Sequence, residues 1–181
     1  VFFAANVTNA VDGNVVAAST TLQDAVGEWG VGTNISDSAG FAGTVSGAYV
    51  NSLRFNAAAG SDLNLADTGT GALSIASGGI LVTSNVTGSS AGIFGGGLVS
   101  GAVASGVPEL IFTQESSQVF EIGARINGSH SVTKSGVGSL LLSGTNYFTG
   151  YLELHNGAVQ VSGGNAIGDN SLVTLATNRN T

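Results

Sequence analysis

Short apolar runs recur in this chain about every twenty residues, and that period constrains the fold more than any other feature. "LIFT" centres near Phe112, "SVTK" near Val132, "YLEL" near Glu153 and "LVTL" near Thr174, in steps of 20, 21 and 21 residues. A second series interleaves with the first: "GLVS" near Val99, "VFEI" near Phe120, "SLLLS" near Leu141 and "AVQVS" near Gln160, in steps of 21, 21 and 19. Upstream, "SLRF", "DLNL", "ALSI" and "ILVT", between Leu53 and Thr83, keep short runs at closer intervals.

Such runs are too short for helices, which need about ten residues or more. Several alternate, as in Val119-Phe120-Glu121-Ile122 and Val159-Gln160-Val161, which sends one face of a strand inward and the other outward. Glycine, asparagine and serine between the runs supply turns. The 29 glycines and the single proline, Pro108, coexist with 43% hydrophobic residues, so the glycine does not mark a linker. One coil of two or three strands cannot bury its own apolar face, whereas coils stacked about 4.8 Å apart can. The sequence therefore predicts an all-β chain folded as a right-handed parallel β-helix, a solenoid of about 20 residues per coil. An antiparallel β-sandwich is the alternative; it accounts for strands every 8–12 residues but less well for the doubled register.

Residues 50–181 carry the repeat domain, and residues 1–49 do not keep the period. That N-terminal segment is expected either to cap the solenoid or to act between subunits. Its one helical pattern is "TTLQDAVGEW", Thr20–Trp29. In the repeat domain, Phe120, Leu141 and Val159 or Val161 are expected to point into one core from adjacent coils.

Charge narrows the function. Only 8% of residues are charged, against about 25% in ordinary domains. Eleven acidic and four basic residues give a net charge of −7, and Lys134 is the only lysine. No basic stripe exists to displace counterions from a nucleic acid, and anionic membranes are disfavoured for the same reason. Without cysteine there is neither a disulfide framework nor a thiolate metal site. No leader pattern or 18-residue apolar run occurs, so membrane insertion by this segment is not expected. The absence of an initial methionine suits a processed product or a piece of a longer protein.

The stretch from Thr133 to Gly164 reads Lys134-Ser135-Gly136-Val137-Gly138, a leucine-rich run over Ser139–Leu142, Ser143-Gly144-Thr145-Asn146-Tyr147-Phe148-Thr149-Gly150, then Gly157-Ala158-Val159-Gln160-Val161-Ser162. This pattern, about 30 residues long, resembles the autotransporter-associated β-strand repeat, also called the passenger-associated transport repeat. "GGNAIG" at Gly163–Gly168 resembles the tail of such repeats, and the region from about Val50 resembles the β-helical sequence that precedes them in large bacterial surface proteins. The resemblance implies an extracellular, adhesin-like β-helix without catalytic residues. The outer-membrane barrel that would secrete such a protein is not among these residues, so self-secretion is not implied.

Several residue patterns carry chemistry on paper. Gly88-Ser89-Ser90-Ala91-Gly92 matches GxSxG, but the glycine-rich stretch after it cannot form the helix that a nucleophile elbow requires. His130 and His155 are the only histidines, and Glu153 lies two residues from His155. A zinc site would need a third ligand and a second shell, so solvated histidines are the expectation. Glu121 and Glu153 are the candidate pair for glycoside hydrolysis, which needs two carboxyl groups about 5–9.5 Å apart. Asp62 with Asp67, and Asp24 with Glu28, are acidic neighbours without a calcium loop. Asn6, Asn34, Asn85 and Asn127 each begin a glycosylation sequon. None of these assembles a supported site, so no catalytic, cofactor-binding or metal-binding residue is assigned.

The function expected is structural: a stalk, adhesin segment or filament subunit of a secreted or cell-surface bacterial protein. A glycan-binding or glycan-cleaving β-helix is the alternative. End-to-end self-association is expected through Val1, Phe2, Phe3 and Val7, which would add a strand to the open last coil around Leu172–Leu175 of a neighbour.

Overall fold

The computed structural model describes residues 21–22, 29–30, 32–37, 39–41, 43–66, 72–100, 108–168 and 172–175. Among these residues every regular element is a strand, and every pairing between strands is parallel. The strand β1 (Thr21–Leu22) comes first. Coils of three strands follow. The first holds β2 (Asn34–Ser36), β3 (Thr44–Val45) and β4 (Tyr49–Val50), and the second β5 (Ser52–Phe55), β6 (Asp62–Leu65) and β7 (Ala72–Ile75). The third holds β8 (Gly79–Val82), β9 (Ala91–Gly95) and β10 (Gly97–Ser100), and the fourth β11 (Glu109–Gln114), β12 (Phe120–Ile122) and β13 (Arg125–Gly128). The fifth holds β14 (Ser131–Ser135), β15 (Ser139–Leu142) and β16 (Tyr147–Phe148). Then come β17 (Leu152–Leu154), β18 (Ala158–Val161) and β19 (Val173–Leu175).

Each strand pairs with its counterparts one coil before and one coil after. The result is three sheets: the first in order β1-β2-β5-β8-β11-β14-β17-β19, the second β3-β6-β9-β12-β15-β18, the third β4-β7-β10-β13-β16. This is the parallel β-helix, and the antiparallel sandwich is set aside. The stacking reaches back to Thr21, into a stretch where the sequence shows no period.

Alternation along each short strand explains the core. In the first sheet Ile35, Leu53, Ile80 and Phe112 are register partners in successive coils, all at 1% exposure or less. In the second, Leu63, Ile93, Ile122 and Leu142 form such a column; in the third, Leu73, Leu98 and Ile126 do. Each fully buried side chain of this size contributes about 1.5–3 kcal/mol. Phe55 and Phe120 meet edge to face across the interior at 4.8 Å, and Phe41 and Trp29 extend the aromatic contact toward the first coils.

Two details of the expected register are corrected. Leu141 does not point inward: it pairs with Glu121 and Gln160 on the outer face, and the buried leucines are Leu140 and Leu142. A run of three leucines carries no alternation, so the sequence leaves its parity open. "GLVS" does not stack beneath "VFEI" either; it lies in the third sheet, and β9 is the neighbour of β12. Register partners Leu53 and Ile80 are 27 residues apart, and Ile80 and Phe112 are 32, so a constant count of 21 lands on the wrong strand there. From Lys134 to Leu154 and on to Leu175 the coils take 20 and 21 residues, as expected. The helix expected over Thr20–Trp29 meets a strand at Thr21–Leu22, which pairs with β2; Thr20 and residues 23–28 lie outside the described residues.

Candidate functional site at the coil corners

The polar residues of the stretch 133–164 converge on the corners between sheets, where the ladders break and backbone groups need other partners. Lys134 follows Ile35, Leu53, Ile80 and Phe112 in the inward column of the first sheet, and it is 0% exposed. Its Nζ donates to the carbonyls of Ser135 at 2.6 Å, Gly136 at 2.8 Å and Asn156 at 3.1 Å. Three ammonium protons therefore meet three carbonyls, two in its own corner and one in the next. Burial lowers its pKa to about 8, while the charge of Glu115 acts to raise it, so Lys134 is charged at neutral pH. Directly above, Gly157 has φ +75, and a Cβ there would collide with the Gly138 carbonyl. Only glycine lets the next coil settle this close.

Asn146 ties three coils together at the following corner. It is 3% exposed. Its Oδ1 accepts from the Ile126 backbone at 2.8 Å, its own N–H donates to the Asn165 carbonyl at 2.8 Å, and its Nδ2 donates to the Ala166 carbonyl at 2.6 Å. A Cβ on Gly144 would collide with the Ala124 carbonyl of the coil below. At the third corner the Gly150 N–H donates to the His130 carbonyl at 3.1 Å, and the Tyr151 N–H to Ser131 Oγ at 3.1 Å. His130 is buried, and its Nε2 has no hydrogen-bond partner. Burial pushes its pKa down to about 4, so it sits neutral under that corner.

Earlier coils use other side chains for the same purpose. Asp37, 1% exposed, accepts from the backbone N–H of Asn56, from that of Ala57 at 3.0 Å and from Ser61 Oγ at 2.8 Å. Asn34 Oδ1 accepts from Asn51 Nδ2 at 2.6 Å and Ser52 Oγ at 2.8 Å. Gln114 folds back inside its corner, accepting from the Ser116 N–H and donating to the Gln118 carbonyl. Sequence reasoning missed Asp37 and Gln114, because a lone Asp or Gln in a glycine-rich chain carries no spacing signal.

The chemistry-bearing patterns fall apart in space. Ser89 and Ser90 lie in an exposed turn that leads into β9, not a helix, and Ser89 Oγ donates to the Ala59 carbonyl. His130 precedes β14 and His155 follows β17 at the opposite end of the same sheet, so the two histidines do not meet. His155 Nε2 instead lies 3.1 Å from Glu153 Oε2 on the exposed surface. Glu121 and Glu153 occupy different sheets. Glu121 shares an outer-face column with Asp62, through Gly92 between them. Burial and the Glu121 charge raise the Asp62 pKa. The insertion in the third coil hid this pairing from the sequence. Among the described residues no three His, Asp or Glu side chains converge to hold a metal. Asn85 is exposed and Asn127 lies on the third sheet. Val1, Phe2, Phe3, Asn6, Val7, Asp24, Glu28 and Asp67 lie outside the described residues.

Stacked parallel coils with bonded corners define a solenoid in which polar side chains, different from corner to corner, hold coil to coil. No protein-family profile matches the chain, and no solved structure matches it. The chain is similar to the Adhesin BmaC autotransporter of Brucella suis biovar 1 (strain 1330), with 30% identity over a match 165 residues long that covers 84% of this chain. The chain spans about 5% of that relative's length.

Proposed function

We propose that this chain is a non-enzymatic structural segment of a secreted or cell-surface bacterial protein of the adhesin type, built as a β-helical stalk. The observation that carries the reading is the Lys134–Asn146–Gly157 corner set, in which the polar motif residues bind coil to coil. The likeness to an autotransporter adhesin over most of the chain supports the surface setting. Separation of Glu121 and Glu153 onto different sheets supports a role without glycan cleavage. In this reading residues 133–164 are an autotransporter-associated repeat, and the chemistry of its polar residues is that of stacking.

End-to-end self-association is part of the proposal. Val161, Leu172, Val173 and Leu175 are 48–67% exposed on the last coils, an apolar edge that a neighbouring molecule would cover. The contact is heterologous, so it would propagate as a filament rather than close as a dimer. Negative-stain imaging of the purified chain should show rods, with end-to-end filaments at high concentration. Removal of residues 1–10 should leave folded, unassembled rods. Compact globules would overturn the stalk, and full-length chains that stay monomeric at high concentration would overturn the filament.

A further inference from the structure

The outer face of the second sheet carries a built platform that the stacking role does not use. Phe94 does not stand off the sheet. Its ring lies along it, with Cε2 and Cζ 2.6 and 2.7 Å from where a Cβ on Gly92 would sit, and Cδ1 2.6 Å from where one on Gly123 would sit. Gly92 precedes Phe94 on β9, and Gly123 follows β12 in the next coil. Any larger residue at either position would lift the ring. Two glycines in neighbouring coils thus make room for an aromatic ring laid close along the sheet, and Phe94 is half-buried there.

Acidic residues stand on the strands to either side of this floor. Asp62 is the register partner of Gly92 on one side, and Glu121 its partner on the other. Two strand spacings, about 9.6 Å, separate the two backbones, with the ring between them. Ser143 Oγ donates to Glu121 Oε1 and fixes that carboxylate from the following coil. Asn64, exposed, is the register partner of Phe94 and adds an amide to the Asp62 side.

We propose that this platform is a binding site for an arginine side chain presented by a partner protein. A guanidinium is planar and stacks on an aromatic face, which an ammonium does not do as well. Its N–H groups lie in the plane of the cation and radiate outward, toward the strands on either side of β9 that carry Asp62 and Glu121. Two like charges in one outer-face column favour a single cation between them; burial first and the Glu121 charge second raise the Asp62 pKa, and a bound cation would offset the second. The site lies on the side of the rod, so it does not depend on end-to-end stacking.

The test is titration of the full chain, followed by amide chemical-shift changes, with a short blocked peptide carrying one arginine, and with its lysine and citrulline counterparts. The arginine peptide should perturb residues around 62–64, 92–94 and 121–123, at least fivefold more tightly than the lysine peptide. The citrulline peptide should not bind. Phe94→Leu, Asp62→Asn and Glu121→Gln should each weaken arginine binding at least fivefold; circular dichroism and thermal unfolding serve as controls for the fold. Equal binding of citrulline, or a response of similar size in wild type and all three variants, would overturn the proposal. Perturbation of the same residues by a neutral oligosaccharide but not by the arginine peptide would also overturn it and mark a sugar platform.

Discussion

Asn146 and His130 show how single side chains serve the stack in opposite ways. Asn146 replaces ladder hydrogen bonds that the corner lacks, with partners in the coils before and after it. Asn146→Ala leaves the Ile126 N–H and the Ala166 carbonyl without these partners in a buried corner. Each such orphan costs about 1–3 kcal/mol, so the midpoint of urea unfolding should fall clearly, whereas Thr145→Ala on the exposed side of the same turn should stay within about 0.5 kcal/mol. His130 contributes no side-chain bond from Nε2 and is held neutral by burial. Its pKa of about 4 in the fold lies below the ordinary 6.5, so the unfolded chain takes up the proton first as pH falls. Stability from this group is complete above pH 6.5 and is lost between 6.5 and 4, on the order of 3 kcal/mol in all. Denaturation curves at pH 7.5 and 4.5 should show that loss in wild type and a much smaller one in His130→Gln.

At the scale of the strand, parity decides which leucines matter. Leu140 pairs with Phe120 and Val159 inside the second sheet, and Leu141 pairs with Glu121 and Gln160 outside it. Leu140→Ala should therefore cost about 2–5 kcal/mol, and Leu141→Ala much less. Thermal unfolding of the two variants side by side checks this; equal losses would contradict the register. The alternating runs, such as "VFEI", disclose their inward residues from sequence, and Phe120 and Ile122 are buried as that alternation demands. "SLLLS" does not, because every position is apolar, and only its neighbours across the ladder settle which face it shows.

For the whole molecule, stability is the sum of coils and of the interfaces between them. Among the described residues, Val161 continues the inward column of Leu142 yet is 54% exposed, and Leu175 continues that of Lys134 at 67%. Under the proposed end-to-end association, Val161→Lys with Leu175→Lys should leave the fold intact, since neither side chain is buried, and should abolish assembly through charge on an apolar contact. Sedimentation of the double variant against wild type at equal concentration reads this directly.

The sequence by itself determined the architecture and the C-terminal period, because short alternating runs at a repeated spacing have few ways to bury their apolar faces other than by stacking. The stretch containing Lys134, Gly144, Asn146 and Gly157 stood out in the sequence only as a resemblance to a repeat pattern, and its place at the corners came from the structure. Only the tertiary structure decided the rest. Insertions in the second and third coils shift the count, so the proximity of Asp62, Phe94 and Glu121 follows from strand register and not from separation along the chain. The corner roles of Asp37 and Gln114 are likewise set by which backbone groups the next coil leaves unpaired, a property of the stack and not of any local stretch of residues.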